Sequence, residues 1–347
     1  MNKKPFQWAV VGAGPAGIAA VGKLIDNGIA PAQILWLDHH FKVGDLGRYW
    51  RNVSSNTSVK LFINFLQAAR AFAYDQAPDF QLNHLAADTT CALHYMVEPL
   101  QWVTDHLCQS VHCEQTTIHD LQLAERIWSI RGDKQTFQAK NVILATGSTP
   151  DGLNYPGIEV VPFDVAIDKE RLQNYIKPED AYAVFGSSHS AIIIINYLVD
   201  LGVKKIVNFY RSPCRYAINM GDWILFDNTG LKGHTADWAR KNIDGVLPDN
   251  LVRYTANQAN IARYLPDCNK AIYAVGFKQR DHIVIGNYEH NHYNPHVGII
   301  GPGLFGFGIA YPELKPDPFG TVDHQVGLWK FMVYLNKIMP VWLKYPS

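Results

Sequence analysis

Apolar and polar positions over the first forty residues change their spacing in a fixed order. Gln7 to Val11 is a β-rich apolar run, and Gly12-Ala13-Gly14-Pro15-Ala16-Gly17 interrupts it. Ile18 to Asn27 then follows helical spacing up to Gly28, and Ile34 to Leu37 is a second apolar run ending at Asp38. That order predicts strand, tight turn, helix and strand. It recurs at Tyr182 to Phe185, Gly186-Ser187-Ser188-His189-Ser190-Ala191, Ile192 to Leu201 and Asn208 to Tyr210, with Arg211 where the first copy has its acid. Between the copies, Thr117 to Leu123, Ile127 to Arg131 and Thr136 to Ala139 alternate as strands of a small antiparallel meander with a turn at Gly132-Asp133. Asn141 to Ala145 reads as a separate buried strand closed by Thr146-Gly147. Residues 57 to 110 read as helical and irregular, broken at Pro78 and Pro99, and 213 to 250 as irregular. Gly301-Pro302-Gly303 marks a sharp loop, and Phe331 to Leu343, an apolar run shortened by Asn336, Lys337 and Pro340, reads as an amphipathic helix.

Composition narrows the classes. In 347 residues, 31 Lys+Arg balance 31 Asp+Glu, which lacks the basic excess that counterion release requires and speaks against a nucleic-acid partner. A hydrophobic share of 48% supports packed cores rather than disorder, and the length suggests about two domains. Lys3 and Lys4 before an apolar stretch imitate a secretion signal, but the glycines at 12, 14 and 17 fit a strand-to-helix turn better. No run reaches the ~18 apolar residues of a spanning helix. Five cysteines without regular spacing suggest a reducing, cytoplasmic setting, with Cys108 and Cys113 as ordinary helix residues and not a C-x-x-C dithiol.

The turns carry the chemistry. In the first, Gly12 permits the tight turn, Gly14 lets backbone approach a pyrophosphate and Gly17 allows close helix–strand packing, while the helix start offers free N–H groups to phosphate. Asp38 lies 38 − 17 = 21 residues past the third glycine, the offset for a carboxylate that binds ribose hydroxyls and disfavours a 2′-phosphate; FAD or NAD is the expected occupant. In the second turn, Arg211 lies 211 − 191 = 20 residues past Ala191, where a guanidinium suits a 2′-phosphate and points to NADPH, with Arg215 placed to assist. The same letters also read as an esterase-type nucleophile elbow centred on Ser188, or as a serine-capped helix without ligand. His290, His292 and His296, with the His39-His40 pair, invite a metal reading; no cysteine or carboxylate framework accompanies them, so none is expected.

With both turns placed, the chain resembles the flavin-containing monooxygenases and the wider class of flavoproteins with two dinucleotide-binding domains. Gly12 to Gly17 looks like their FAD fingerprint, and Ser55-Asn56-Thr57-Ser58 with Phe62 and Phe65 like their S-N-T segment. Ala145-Thr146-Gly147 resembles the strand end near FAD, Gly186 to Ala191 the NADPH turn, Tyr210-Arg211-Ser212 the 2′-phosphate arginine, and Ala274-Val275-Gly276-Phe277 the second such strand end. The resemblance implies an α/β fold of two Rossmann-like domains: a split FAD domain (1–150 and 270–347) and an inserted NADPH domain (151–269). It implies FAD reduced by NADPH, O2 adding to form a peroxyflavin, and oxygenation of a small amine or sulfide. Asn56 would be the catalytic support. Pro15, Ala16, Arg48, Trp50, Thr57, Ser187, Ser188, His189, Ser190, Ser212 and Gly276 would join the residues above in binding cofactor. Gly301 to Glu313 would return to the flavin, and a homodimer is compatible with it.

The chain departs from the pattern in two places. After the first strand end, only Pro156-Gly157 and Phe163-Asp164 stand where the family has F-x-G-x-x-x-H, and Gly44 to Trp50 replaces a Gly-Gly-x-Trp run. An NADPH-dependent flavoprotein reductase or oxidase, and a non-catalytic nucleotide-binding protein, stay open beside the monooxygenase.

Overall fold

The structure, a computed structural model, describes residues 4–280, 282–286 and 292–345, so His290 lies outside the described residues. It divides into two compact units, one of residues 1–51, 57–149 and 279–347 and one of residues 52–56 and 150–278.

In the first unit a central sheet runs in the order Val284–Ile285, Ile118–Ala124, Ile127–Gly132, Thr136–Leu144, Phe6–Val11, Ile34–Asp38 and His112–Gln115. Thr136–Leu144 is a single strand where the hydrophobic pattern suggests two. Its first half pairs antiparallel with Ile127–Gly132 and alternates between exposed and buried residues. Its second half pairs parallel with Phe6–Val11 and with Leu304–Gly306 and is buried on both faces. The change from half-exposed to enclosed sheet changes the spacing without breaking the strand.

The Pro15–Asp26 helix buries Ala16 to Gly22 and Leu24 in one core with residues of the Leu328–Trp342 helix, including Phe331, Leu335, Met339 and Trp342. Asn336, Lys337 and Pro340 lie on the exposed stripe of that last helix, as its amphipathic spacing predicts. Pro99 sits inside the His94–Cys108 helix, buried, instead of breaking it.

Cys108 and Cys113 require a correction: they form a disulfide with Cα atoms 5.6 Å apart. On one helix, residues five apart point about 140° away from each other. The helix ends at Cys108, however, and the chain folds back so that Cys113 enters the His112–Gln115 edge strand.

The second unit holds a parallel sheet in the order Glu159–Val160, Lys270–Tyr273, Ala181–Phe185, Lys205–Tyr210 and Leu251–Thr255. Lys270–Tyr273 is a strand of this sheet, so the chain rejoins the first unit at residue 279. The His189–Asp200 helix buries Ala191 to Ile195 and Leu198. The stretch 213 to 250 is less irregular than its composition suggests, because Gly233–Asn242 is helical.

Candidate functional site

The first turn is built by contacts that leave no space for side chains. Gly12 leaves its strand at φ +110°, and a Cβ there would lie 2.3 Å from Ala145 O; a Cβ on Gly17 would lie 1.9 Å from Gly12 O. Gly14 is different. It caps the helix without a side-chain bond, and a Cβ on it would meet only Gly44 Cα, at 4.0 Å. Pro15 opens the helix, Ala16 follows, and no acidic side chain occupies the first turn. The helix start thus presents unpaired N–H groups and partial positive charge on an open face, as a pyrophosphate needs.

Asp38 closes this turn as well as ending its strand. Its Oδ2 accepts from Ala13 N–H at 2.8 Å, and its Oδ1 from His40 and Phe41 N–H at 2.7 Å each. A carboxylate offers about four acceptor positions, so about one is left for a ribose hydroxyl. Trp36 Nε1–H donates to Gly12 O at 2.9 Å. At the neighbouring strand end, Ala145 N–H donates to Val11 O, and Thr146 Oγ1 is buried without a hydrogen-bond partner. Gly147, at φ +75°, leaves a Cβ position 3.7 Å from Arg280 Nη1, and Arg280 pairs with Asp45 at 2.5 Å. The Leu304–Gly306 strand ends near the helix start, where a Cβ on Gly308 would lie 2.5 Å from Ala16 Cβ.

Other expected residues are more peripheral. Arg48 reaches His39 at 3.3 Å and lies 4.9 Å over the Tyr49 ring, and Trp50 packs edge-on against Tyr49. Asn56 and Thr57 are half-buried in the Ser54–Ser58 strand. Trp36, Asp45 and Arg280 are not announced by spacing: Trp36 reads as core, and the other two come together through folding. Gly308 lies in the Gly301 to Glu313 stretch expected to return to the flavin, and it meets Ala16 at the helix start.

The second turn reproduces the first. Gly186, at φ +126°, leaves a Cβ position 2.3 Å from Ala274 O, as Gly12 does with Ala145. Ser187 Oγ donates to Ser212 O at 2.8 Å, tying the turn to the residue after Arg211. Ser188 caps the helix by position alone and is exposed, Ser190 is half-buried, and Arg211 is exposed just past the Lys205–Tyr210 strand. Gly276, at φ +120°, has open space where a Cβ would stand.

His189 Nε2 lies 3.2 Å from Ser54 O. A carbonyl only accepts, so Nε2 carries the proton and Nδ1 is a bare acceptor, buried without a partner. Burial holds this imidazole below its ordinary pKa. It is therefore committed to Ser54 and does not serve Ser188 as a base.

No group of three or more His, Cys, Asp or Glu suited to a metal occurs among the described residues. The His39 and His40 rings lie 3.9 Å apart. Burial, followed by His39 and Arg48, lowers the His40 pKa.

The residues present fit two dinucleotides. An orphaned Thr146 hydroxyl, two glycines with no room for Cβ and an open Gly14 describe the first cradle; Gly186 and the unfilled acceptor of His189 describe the second.

Comparison with known proteins agrees. Residues 6–227 match the model of the family described as pyridine nucleotide-disulphide oxidoreductase. The chain is 32% identical over 384 residues to "Monooxygenase AgnR1" of Paecilomyces divaricatus, covering 96% of this chain and 97% of that protein. In fold it is similar to L-lysine 6-monooxygenase from Pseudomonas syringae (13% identity, TM-score 0.65, 99% and 100% of the two chains). It is equally similar to the bacillithiol disulfide reductase of Staphylococcus aureus (13%, TM-score 0.64, 99% and 100%). No helix among the described residues is long and apolar enough to cross a membrane. The chain belongs to the pyridine nucleotide-disulphide oxidoreductase family, whose members bind FAD and NAD(P)H, and is an FAD-dependent oxidoreductase.

Proposed function

We propose that the chain is an NADPH-using flavin monooxygenase that inserts one atom of O2 into a small soft nucleophile, an amine nitrogen or a sulfide sulfur, and releases the other as water. The observation that carries this is the pair of equivalent turns, Gly12 against Ala145 and Gly186 against Ala274, in a chain related along nearly its whole length to a monooxygenase. When bound, FAD supplies the two-electron chemistry: it takes hydride from NADPH and passes the electrons to O2.

The protein's own residues bind and orient. In this reading the Gly14 backbone and the helix start that follows it hold the FAD pyrophosphate, and the remaining acceptor position of Asp38 holds a ribose hydroxyl. Thr146 donates its unpaired O–H to the same cofactor. Arg48 and Trp50 lie beside this cradle. Ser188, Ser190 and Gly276 line the pyridine-nucleotide turn. Arg211 takes the 2′-phosphate, and His189 Nδ1 accepts from a hydroxyl or carboxamide of the nucleotide. Asn56 and Thr57, on one short strand, orient the reacting groups. The first compact unit, resuming at residue 279 and not at 270, is the FAD domain in this reading and the second unit the NADPH domain.

A second reading, an NADPH-dependent reductase or oxidase, is favoured by the incomplete motif at Pro156 to Ile167. As a disulfide reductase it would need a dithiol at the flavin. Cys113 instead pairs with Trp36, two residues before Asp38 along the strands, away from the turn at their ends. The test is NADPH turnover with labelled O2 and candidate amines and sulfides. Label in the product at one atom per NADPH supports oxygenation; NADPH consumed with only hydrogen peroxide released, whatever the substrate, overturns it.

A further inference from the structure

The two turns are held in shape by different chemistry at equivalent positions. In the first unit Val10 pairs with Trp36, and Trp36 Nε1–H donates to Gly12 O, two residues beyond Val10. In the second unit Val184 pairs with Asn208, and Asn208 Nδ2 donates to Gly186 O, two residues beyond Val184, at 2.8 Å. Its second proton goes to Val184 O at 2.9 Å. Asn208 is fully buried. An indole can present only N–H, whereas an amide presents NH2 or C=O depending on which way it is turned. Turned wrongly, Asn208 would set its oxygen against two carbonyls.

Arg253 decides the orientation. It pairs with Asn208 on the adjacent strand, and its Nε–H donates to Asn208 Oδ1 at 2.8 Å. A guanidinium has no acceptor, so only the amide oxygen can face it and the NH2 must face the turn. Arg253 is itself fixed by the Tyr210 ring, 4.5 Å from its Cζ. We infer that Asn208 and Arg253 form a positioning pair that sets the second turn for the pyridine nucleotide, acting on the backbone of Gly186 and touching no substrate atom. The inference rests on the proposed assignment of that turn to NAD(P)H.

Because the pair shapes the turn common to both nucleotides, its loss should weaken NADP+ and NAD+ equally, unlike loss of a 2′-phosphate contact. The experiment is calorimetric titration of FAD-loaded protein with each nucleotide, together with FAD content and Tm. Arg253→Met, which keeps an unbranched chain but carries no donor, should raise the Kd of both about tenfold, the scale of one hydrogen bond, with FAD content unchanged. Arg253→Lys, which restores a donor, should recover most of that loss. Trp36→Phe should do the reverse, lowering FAD content and sparing nucleotide affinity. Asn208→Ala should exceed Arg253→Met if it folds, and Arg253→Met decides the matter if it does not.

Weakening confined to NADP+ would make Arg253 a phosphate ligand and overturn the inference. Unchanged affinities with a lowered Tm would reduce the pair to structural support and overturn it too. Wild-type protein that binds neither nucleotide would overturn the assignment beneath it, and that result appears before any variant is made.

Discussion

Single residues carry the cradles through what they lack. Gly12 and Gly17 were legible as turn and packing glycines because their spacing sits between a strand and a helix. Trp36 was not, since an indole in an apolar strand has no periodic signature, and Thr146 entered only through the resemblance of Ala145-Thr146-Gly147 to a flavoprotein strand end. Gly17→Ala would push Cβ to 1.9 Å from a backbone oxygen that cannot swing aside. The variant should purify without flavin colour while retaining NADP+ affinity, and FAD content by absorbance checks this. Arg211 is exposed and aligned with the acid of the first copy. Arg211→Ala should weaken NADPH by about 1.5–3 kcal/mol, the worth of a hydrogen bond to a charged group, and leave NADH unaffected; comparison of the two KM values decides it. His189 has its pKa lowered from 6.5 by burial. The unfolded chain therefore takes up this proton more readily than the folded one. The stability that neutral His189 contributes is full above pH 6.5 and is lost as pH falls through the folded value. Tm against pH should decline less steeply on the acid side in His189→Gln than in the wild type; identical slopes would show that this imidazole does not govern that loss.

Elements were legible where one environment runs their whole length, as in the Pro15–Asp26 and His189–Asp200 helices. They were misread where the environment changes along them. Thr136–Leu144 passes from an open meander into enclosed parallel sheet, and Pro99 lies within a helix held by its buried face. The Cys108–Cys113 link was hidden by the same kind of error, since it depends on where one helix stops. This disulfide closes a six-residue loop and ties the edge strand beside Ile34–Asp38. Its loss should cost roughly 2 kcal/mol by the chain-entropy relation. Urea unfolding of oxidised wild type against the Cys108→Ser/Cys113→Ser variant measures this, with FAD still bound in both at zero urea.

At the scale of the molecule, the repeat of strand, turn, helix and strand made the two-cradle plan readable. Each copy is a local unit whose glycines and terminal charged residue fall within about thirty positions. What the repeat could not show is which distant segments complete each cradle. Arg280 and Gly308 reach the first turn from the far end of the chain, and Ala274 closes the second from 88 residues beyond Gly186. Those contacts are products of sheet order, which a spacing rule does not encode. The oxygenase chemistry stands one step further out, on the relation to a full-length monooxygenase and on Asn56 in its short strand.

The plan itself is open to one direct measurement: the visible absorbance of the purified protein, reconstituted with FAD where needed, on anaerobic mixing with NADPH. Two working cradles predict a yellow protein whose flavin band is bleached by one equivalent of NADPH and returns when air is admitted. A colourless protein that takes up no FAD, or a yellow one whose spectrum NADPH leaves untouched, would contradict the account.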